Sequence, residues 1–395
     1  MAKWEKMTVG DLCDPISDTY RGEDMEVVLI NTSDVLEGKV LNHQLVENKN
    51  LKGQFKKTFK ENDILYSEIR PANKRYAFVD FDDTDNYIAS TKLMVLRPRK
   101  DVVRPRFLFS FLSSKSVLEE LQQLAETRSG TFPQITFSSE LAPISINVPD
   151  LETQDRIVGI LDVIERKIST NAEINKNLEQ QAEALFHSLF IENANPTWKD
   201  GMLSDLGTVV AGGTPSKTNP EYYSKQGIAW ITPKDLSLNK SKFISHGEID
   251  ISELGFSKSS ATKMPTGTVL FSSRAPIGYI AIAANEVTTN QGFKSVVPNK
   301  NIGTAFIYYL LKFLLPTIEG MASGSTFKEI SGAGMKSVPV VIPDNETIEK
   351  FNTFCTPIFQ QQEVLEAENS RLADIRNALL PKLMSGELDV SNIKI

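Results

Sequence analysis

The sequence predicts an α+β protein built from one unit written twice, each unit being a mixed globular head followed by a long helix. Three observations predict this fold. Similar segments recur about 194 residues apart, short β-branched runs alternate with helical runs in each half, and a heptad-patterned stretch follows each half. A chain of 395 residues also exceeds what one hydrophobic core usually serves.

The repeat rests on anchors that occur in the same order in both halves. The outer anchors keep an offset of 194 or 195, whereas the inner ones drift to 205 and 200, which indicates loop insertions within one shared fold. The pairs are Trp4 with Trp198, Asp11 with Asp205, Leu65 with Leu270, Pro98 with Pro298, Thr131-Phe132 with Thr326-Phe327, and Pro149-Asp150 with Pro343-Asp344. Four segments follow: heads at 1–149 and 194–343, and helices at 150–193 and 344–395, the last including the C-terminal tail.

Inside the heads, short runs rich in β-branched residues predict strands. They lie at 27–30, 93–96, 268–271, 279–282 and 338–342. Apolar residues spaced by three and four predict helices at 107–124 and 306–318. The mixture of the two patterns indicates that each head is of the α+β type.

The two heptad stretches predict long helices that pair with each other as an antiparallel coiled coil about a pseudo-two-fold axis. Centring one helix on the other places Asn171 opposite Asn369, and a buried amide pair there would fix the register. A wetter part of the seam is an equally good interpretation of these amides. The predicted seam consists of Ile157, Leu161, Ile164, Ile168, Asn171, Leu178, Leu185, Ile358, Leu365, Asn369, Leu372 and Leu379.

The charge pattern neither favours nor excludes an anionic partner until it is divided by region. The net charge is −7, but the stretches 150–193 and 344–389 carry −5 each, which leaves +3 elsewhere. The stretch 49–106 carries +6. Local fields govern anion binding more than the total does. The basic residues of the heads are therefore available for phosphate contacts, and the acidic helices favour protein partners.

Several classes of function find no support in the sequence. A signal peptide, a membrane span, a phosphate-binding GxxxxGK[ST] loop and a cysteine framework are all unsupported, since the two cysteines lie far apart. We expect a non-catalytic protein with no metal site, located in the reducing cytoplasm. A self-contained methyltransferase or nuclease and a scaffold that binds only proteins remain as alternatives.

Polar loops at strand ends supply the candidate binding residues. Arginine offers a fork for guanine, and asparagine or glutamine pairs with adenine, so Arg274, Asn290 and Gln291 are candidates for base contacts. Arg70, Asn73 and Lys74 are their expected counterparts in the first half, because they occupy the loop that corresponds to that of Arg274. The candidates for phosphate contacts are Lys217, in a Gly-Gly-Thr-Pro-Ser-Lys loop, Lys328, Lys56 and Lys57. A plain turn and a solvated surface are the competing interpretations of these loops.

The second half resembles a known family. The segments GGTPSKTNPEYY, IAWITPKDL, GTVLFSSRAPIGYIAIA, TNQGFKSVVP and GSTFKEISGAGMKSVPVVIP look like the target-recognition domain of type I restriction–modification specificity subunits. The heptad helices resemble that family's spacer regions. The first half departs from the pattern, because no GGTPS segment stands near 18–22 and SEIRP replaces SSRAP.

The resemblance implies a DNA-binding subunit without a catalytic centre. Each target-recognition domain would read one half of a split double-stranded DNA sequence, and two different domains imply an asymmetric target. The helices would hold two modification (methyltransferase) subunits, and restriction (translocase and nuclease) subunits would join them. S-adenosylmethionine, ATP and magnesium are expected on those partners, and no cofactor is expected in this chain.

Overall fold

The computed structural model describes residues 4–49, 53–128, 132–324, 328–391 and 393. The chain forms two compact units. Unit 1 joins Met1–Ile168 with Arg371–Ile395, and unit 2 comprises Ser169–Ser370. Each unit thus holds one head and a segment of both long helices, and the four predicted segments describe only the order along the chain. The anchor residues Thr131, Thr326 and Phe327 lie outside the described residues.

The head of unit 1 combines two four-stranded sheets with three helices among its described elements. The strands are β1 (Glu5–Thr8), β2 (Cys13–Ile16), β3 (Glu26–Ile30), β4 (Val35–Leu36), β5 (Lys39–Val40), β6 (Leu45–Glu47), β7 (Phe55–Lys57), β8 (Ile64–Ser67), β9 (Tyr76–Phe78), β10 (Tyr87–Ser90), β11 (Leu93–Pro98) and β12 (Ser145–Val148). One sheet has the strand order β2-β11-β8-β9 and the other β6-β3-β10-β7, while β1 pairs with β12 and β4 with β5. The helices are α1 (Val9–Leu12), α2 (Pro105–Leu112) and α3 (Lys115–Arg128), and the first long helix is α4 (Leu151–His187).

The head of unit 2 has a five-stranded sheet and three two-stranded pairs. The strands are β13 (Lys199–Met202), β14 (Gly207–Ala211), β15 (Tyr223–Ser224), β16 (Trp230–Ile231), β17 (Phe243–Ile244), β18 (Asp250–Ile251), β19 (Val269–Ser273), β20 (Ile277–Ala283), β21 (Thr288–Thr289), β22 (Lys294–Pro298) and β23 (Pro339–Ile342). The sheet has the order β14-β22-β19-β20-β17, and the pairs are β13-β23, β15-β18 and β16-β21. The helices are α5 (Leu203–Leu206), α6 (Pro233–Leu238), α7 (Glu253–Ser257), α8 (Thr304–Phe313), α9 (Leu315–Met321) and α10 (Gly332–Lys336), and the second long helix is α11 (Asn345–Ser385).

The predicted duplication is present in the strand pairing itself. In unit 1 Glu5 pairs with Val148, and in unit 2 Lys199 pairs with Ile342, both partners being shifted by 194. The central strands repeat the pattern with the predicted inner offsets of 205 and 200. Ile64 pairs with Leu96 in unit 1, and Val269 pairs with Val296 in unit 2. Each predicted strand lies within or overlaps an observed strand of its head.

The two helices predicted inside the heads are each broken into two, so the predicted single helices are wrong in extent. In unit 1 the break falls at Ser113 and Ser114, where the hydroxyl of Ser113 donates to the carbonyl oxygen of Phe109 at 2.8 Å. Such side chains compete with the helical backbone pattern and favour helix ends. In unit 2 the break falls at Leu314, two residues before Pro316, whose ring nitrogen has no proton to donate to the preceding turn.

Both long helices begin in the same way. The carboxylate of Asp150 accepts from the backbone N–H of Thr153 at 2.9 Å, and Asp344 accepts from that of Thr347 at 2.8 Å. These bonds satisfy one of the free amide groups of each first turn, and they lower the pKa of both aspartates. The helix α11 ends at Ser385 before Gly386, whose φ of +76° suits a glycine.

Each unit packs its own helix segments against its own head. In unit 1, Ile157 and Leu161 of α4 and Leu383 of α11 belong to the same buried cluster as the head residues. In unit 2, Phe186 of α4 and Phe351 of α11 are likewise part of the head's core. The apolar stripe of each helix is therefore buried within each unit, which supplies the stabilisation that an isolated helix lacks.

The antiparallel pairing of the helices is visible within unit 2. The side-chain amide of Asn171 donates to Asn369 Oδ1 at 2.9 Å and to Glu368 at 2.7 Å. Further along, Gln362 donates to the carbonyl oxygen of Asn175 at 3.2 Å. Residue numbers therefore rise along the first helix as they fall along the second, so the two helices are antiparallel. The Asn171–Asn369 contact is the one that the sequence predicts. Asn171 itself is fully buried. The described seam residues divide by exposure: Ile157, Leu161, Asn171, Ile358 and Leu365 are buried, and Ile164, Ile168, Leu178, Leu185, Asn369, Leu372 and Leu379 are half-buried.

Candidate nucleic-acid interface

A charged cluster lies where three segments of unit 2 meet at the end of strand β19. This strand is buried throughout and ends at Ser273. The backbone N–H of Ser273 donates to the carbonyl oxygen of Gly292 at 2.7 Å, and the N–H of Ile330 donates to Ser273 at 3.1 Å. The next residue, Arg274, forms an antiparallel β-bridge with Glu329. The backbone alone thus brings the loops after β19 and β21 and the segment before α10 together.

The side chains of the cluster converge on Glu329. One carboxylate oxygen accepts from Arg274 Nη1 at 3.3 Å, and the other accepts from Ser273 Oγ at 3.3 Å and Lys294 Nζ at 3.5 Å. The exposed fractions are 37% for Arg274, 34% for Glu329 and only 10% for Lys294. One acid therefore faces two bases, and the arginine and the glutamate remain open to a ligand.

Asn290 and Gln291 lie in the turn beside this cluster. The carbonyl oxygen of Gln291 accepts from Lys294 Nζ at 3.3 Å, while its side chain is exposed. Asn290 Oδ1 accepts from the backbone N–H of Gly292 at 2.8 Å, so this amide also shapes its own turn. The structure therefore brings the three base-contact candidates of the second half to one place.

The Gly-Gly loop approaches the same turn. A Cβ on Gly212 would lie 1.9 Å from the carbonyl oxygen of Asn290, so no other residue fits there. The N–H of Gly213 donates to the carbonyl oxygen of Thr289 at 2.9 Å. Five residues on from Gly212, Lys217 is exposed. The loop is thus both a close backbone contact and the carrier of an exposed ammonium group.

The position of unit 1 that corresponds to Arg274 at the offset of 205 is Ile69. Ile69, not Arg70, forms the equivalent β-bridge, and its partner is Gln134 in the place of Glu329. Arg70 corresponds instead to Ala275, since both have a positive φ (45° and 53°) before a proline. Arg70 thus lies in the predicted loop, one residue after the position of Arg274.

The other candidates of unit 1 lie on its surface. Arg70, Asn73 and Lys74 are exposed around a 3₁₀ turn at Pro71–Asn73, and Lys74 forms an ion pair with Glu37 at 2.7 Å. Met94, fully inside the core, takes the place of Lys294. Unit 1 therefore has different residues at the place of the charged cluster of unit 2. Beside them, Glu68 forms an ion pair with Lys92 at 3.4 Å.

The phosphate candidates divide into exposed and engaged lysines. Lys56, Lys217 and Lys328 are exposed. Lys57 Nζ donates to the carbonyl oxygens of Thr91 at 3.1 Å and Leu93 at 2.7 Å, and burial lowers its pKa. Its ammonium group thus serves the fold of unit 1.

A second polar network, which the sequence pattern did not reveal, is buried where the head of unit 2 meets its helix segments. Lys242 forms an ion pair with Glu179 of α4 and donates to Gln362 Oε1 of α11 at 2.7 Å. Lys312 donates to Glu179 Oε1 at 2.9 Å, and the hydroxyl of Tyr309 donates to its other oxygen at 2.9 Å. The network ties head and helices within the unit through groups that are far apart in sequence.

The pKa shifts of this network follow from burial and from charge pairing. Burial by itself opposes ionisation of Glu179, but Lys242 and Lys312 outweigh it and lower its pKa to about 2. Burial lowers the pKa of Lys242 despite Glu179, and burial raises the pKa of Glu366. Glu179 is therefore ionised throughout the physiological range, which suits a structural ion pair.

Metal ligation and membrane insertion both lack a structural basis in the described residues. No group of three or more His, Cys, Asp and Glu side chains is placed to hold a metal ion in that part of the chain. Among the helices in the described ranges, none combines the length and the apolar character needed to cross a bilayer.

Comparison with known proteins points in one direction. A family model described as the type I restriction modification DNA specificity domain matches residues 1–180 and 195–371. The type I restriction enzyme HindI specificity subunit of Haemophilus influenzae is 32% identical over 98% of this chain and 100% of its own length. The MjaIX specificity subunit of Methanocaldococcus jannaschii is 40% identical over 40% of this chain and 36% of its own.

A solved structure shares the fold. The S subunit of a type I restriction–modification system from M. genitalium matches with a TM-score of 0.56 and 18% identity, covering 97% of this chain and 96% of that one. The family model matches each half of the chain once, at an interval that agrees with the duplicated strand register. The chain therefore belongs to the family of type I restriction–modification DNA specificity subunits.

Proposed function

We propose that the two units of this specificity subunit each read one half of a split, asymmetric DNA sequence. The observation that carries the proposal is that one strand register occurs twice with different side chains at equivalent loop positions. Arg274 and Glu329 stand in unit 2 where Ile69 and Gln134 stand in unit 1. Equal frames with unequal polar groups favour two different half-sites, because base edges are read by hydrogen-bond donors and acceptors.

In unit 2 the proposed base contacts come from Arg274, Asn290 and Gln291, and in unit 1 from Arg70, Asn73 and Lys74. Exposed lysines supply the phosphate contacts, which position the protein without specifying sequence. Lys217, Lys328 and Lys56 fit this role, because their ammonium groups are exposed.

The helices serve the partners in this proposal. Two modification subunits bind the acidic surface of the helical stretches, which carry −5 each, and restriction subunits join them. S-adenosylmethionine, ATP and magnesium belong to those subunits, and this chain holds no cofactor. The assembly works in the cytoplasm, where the buried thiols of Cys13 and Cys355 stay reduced.

The experiment is a binding selection on random double-stranded DNA with the full chain and its modification subunit. The proposal predicts recovery of two short, non-palindromic blocks at a fixed separation. Recovery of no preferred sequence would contradict it and favour a protein scaffold. Methylation or cleavage of the DNA by the purified chain alone would contradict it in favour of an enzyme.

A further inference from the structure

The cluster at the end of β19 presents a donor and an acceptor side by side. Arg274 and Glu329 are each exposed by about a third and meet through a single contact of 3.3 Å. The structure gives the other guanidinium N–H groups of Arg274 no partner among the described residues. A ligand thus meets free donors from the arginine and carboxylate lone pairs from the glutamate at one place.

This combination matches one base pair. In the major groove guanine offers the acceptors N7 and O6, and its partner cytosine offers the donor N4. Arginine binds the first two in a bidentate manner, and a carboxylate accepts from the third. An A·T pair places an amino donor on the purine, which repels a guanidinium, and a methyl group on the pyrimidine.

We propose that Arg274 and Glu329 together read one G·C base pair in the half-site of unit 2, with Lys294 as a positioning residue. This inference rests on the proposed function and names the base pair that the site accepts. Lys294 lies almost fully inside the protein, and its Nζ is 3.5 Å from Glu329 Oε1. Its positive charge offsets the negative charge of Glu329 from the buried side. The positive charge of Arg274 therefore remains available to attract the base.

The equivalent place in unit 1 supports a role in recognition over a role in folding. Ile69, Gln134 and Met94 occupy the three positions there, and the same strand register forms around them. The frame therefore folds without this cluster. Charges that the fold does not need, at a half-exposed position, are the ones expected to serve a ligand.

The test uses the binding selection with the full chain and modification subunit, applied to four variants. Glu329→Gln and Lys294→Met introduce the residues that unit 1 carries, and Arg274→Lys keeps the charge but removes the fork. Lys336→Ala, an exposed lysine on α10, is the matched control. The readout is base preference at every position, with thermal unfolding of each variant recorded beside it.

We expect the DNA sequence selected by the wild-type protein to contain a G·C pair. Arg274→Lys and Glu329→Gln should each lower the preference for that pair about tenfold or more, at the same position. Lys294→Met lowers the same preference to a smaller extent, and the control lowers none. Unchanged preferences in both variants, or an equal loss of affinity for all sequences, would overturn the inference. If the wild-type protein selects no split DNA sequence, that result would instead overturn the proposed function.

Discussion

The two units share a backbone frame and differ in where they place buried charge. In unit 1, Arg97 forms a two-pronged ion pair with Asp63, which is 1% exposed. The equivalent positions in unit 2 are Val297 and Thr268, where the backbone N–H of Thr268 donates to Pro265 as that of Asp63 donates to Lys60. The same turn and strand thus form around an ion pair in one unit and around neutral residues in the other.

Unit 2 places its charges elsewhere, at the loop end of β19 and between the head and the helices. The counterparts of Glu179 and Gln362 at an offset of 194 are Ala373 and Ile168, so unit 1 carries neither the acid nor the amide of that network at these two positions. Hydrophobic pattern and strand register thus define the shared frame, whereas the polar groups differ between the two units. Two copies of one frame therefore need not recognise the same partner.

The largest effect is expected from removing the cation of the buried network. Lys242→Met removes one of the two cations paired with Glu179 and the donor to the amide oxygen of Gln362, while Lys312 and the hydroxyl of Tyr309 remain beside the acid. We expect a loss of about 3 kcal/mol in the free energy of unfolding, measured by denaturant titration of the full chain.

The control for this change is Lys258→Met, which alters an exposed lysine of the same unit. The double variant Lys242→Met with Glu179→Gln should recover part of the loss, because the side chain at 179 is then neutral and Lys312 keeps its ion pair with Glu183 at 3.2 Å. A single variant as stable as the control would show that the network is unimportant for unit 2 and would remove this difference between the units.

A pH dependence follows from the same network. The folded pKa of Glu179 is about 2, below its ordinary value of 4.5. A depressed pKa contributes stability that is present above about pH 4.5 and is lost as the pH falls toward 2. Neighbouring Glu366 has a raised pKa and acts in the opposite direction. The wild type should therefore lose more stability than Glu179→Gln between pH 5 and 3, measured by denaturant unfolding, and parallel curves would contradict this account.

The amide pair of the helix seam gives a smaller effect. Asn171→Leu removes the buried amide that donates to Asn369 and Glu368 and places an apolar side chain against these polar groups, at an expected cost of about 1–2 kcal/mol in unfolding free energy. The double variant Asn171→Leu with Asn369→Leu should recover part of this cost, because the amide of Asn369 no longer faces an apolar side chain. Asn177→Leu, at an exposed position of α4, is the control. If Asn171→Leu were as stable as the wild type, this result would contradict the idea that the pair fixes the register.

The smallest effect is expected from the exposed lysine of the Gly-Gly loop. Lys217→Ala should weaken binding equally for all DNA sequences and reduce the slope of affinity against salt by about one. Titrations of the complex at several salt concentrations measure both quantities. Lys56→Ala makes the same test in unit 1. A change in base preference would instead assign Lys217 to sequence reading and sharpen the contrast between the units.

Much of the fold was predictable because it rests on local patterns. The heptad spacing and the offset of 194 predict the two helices, the contact of Asn171 with Asn369 and the repeated strands. The breaks at Ser113 and Leu314 were missed, since apolar periodicity continues across both. Local capping by serine and the missing proton of Pro316 decided the helix ends.

The site was predictable only in part. Arg274, Asn290 and Gln291 follow from residue type at strand ends, but Glu329 lies 55 residues from Arg274 and Lys242 lies 63 from Glu179. No local pattern links such pairs, because only the tertiary fold brings them together. The positive φ that Arg70 shares with Ala275 is likewise a property of the backbone, which the residue type does not predict.

The most direct test of two independent readers is a base-by-base affinity map of the recovered target for wild type and Arg274→Ala. Two blocks of unlike sequence are expected, and the substitution should reduce discrimination by about 1–3 kcal/mol within one block while the other stays unchanged. A single continuous or palindromic block, or a loss of discrimination in both blocks, would contradict the account.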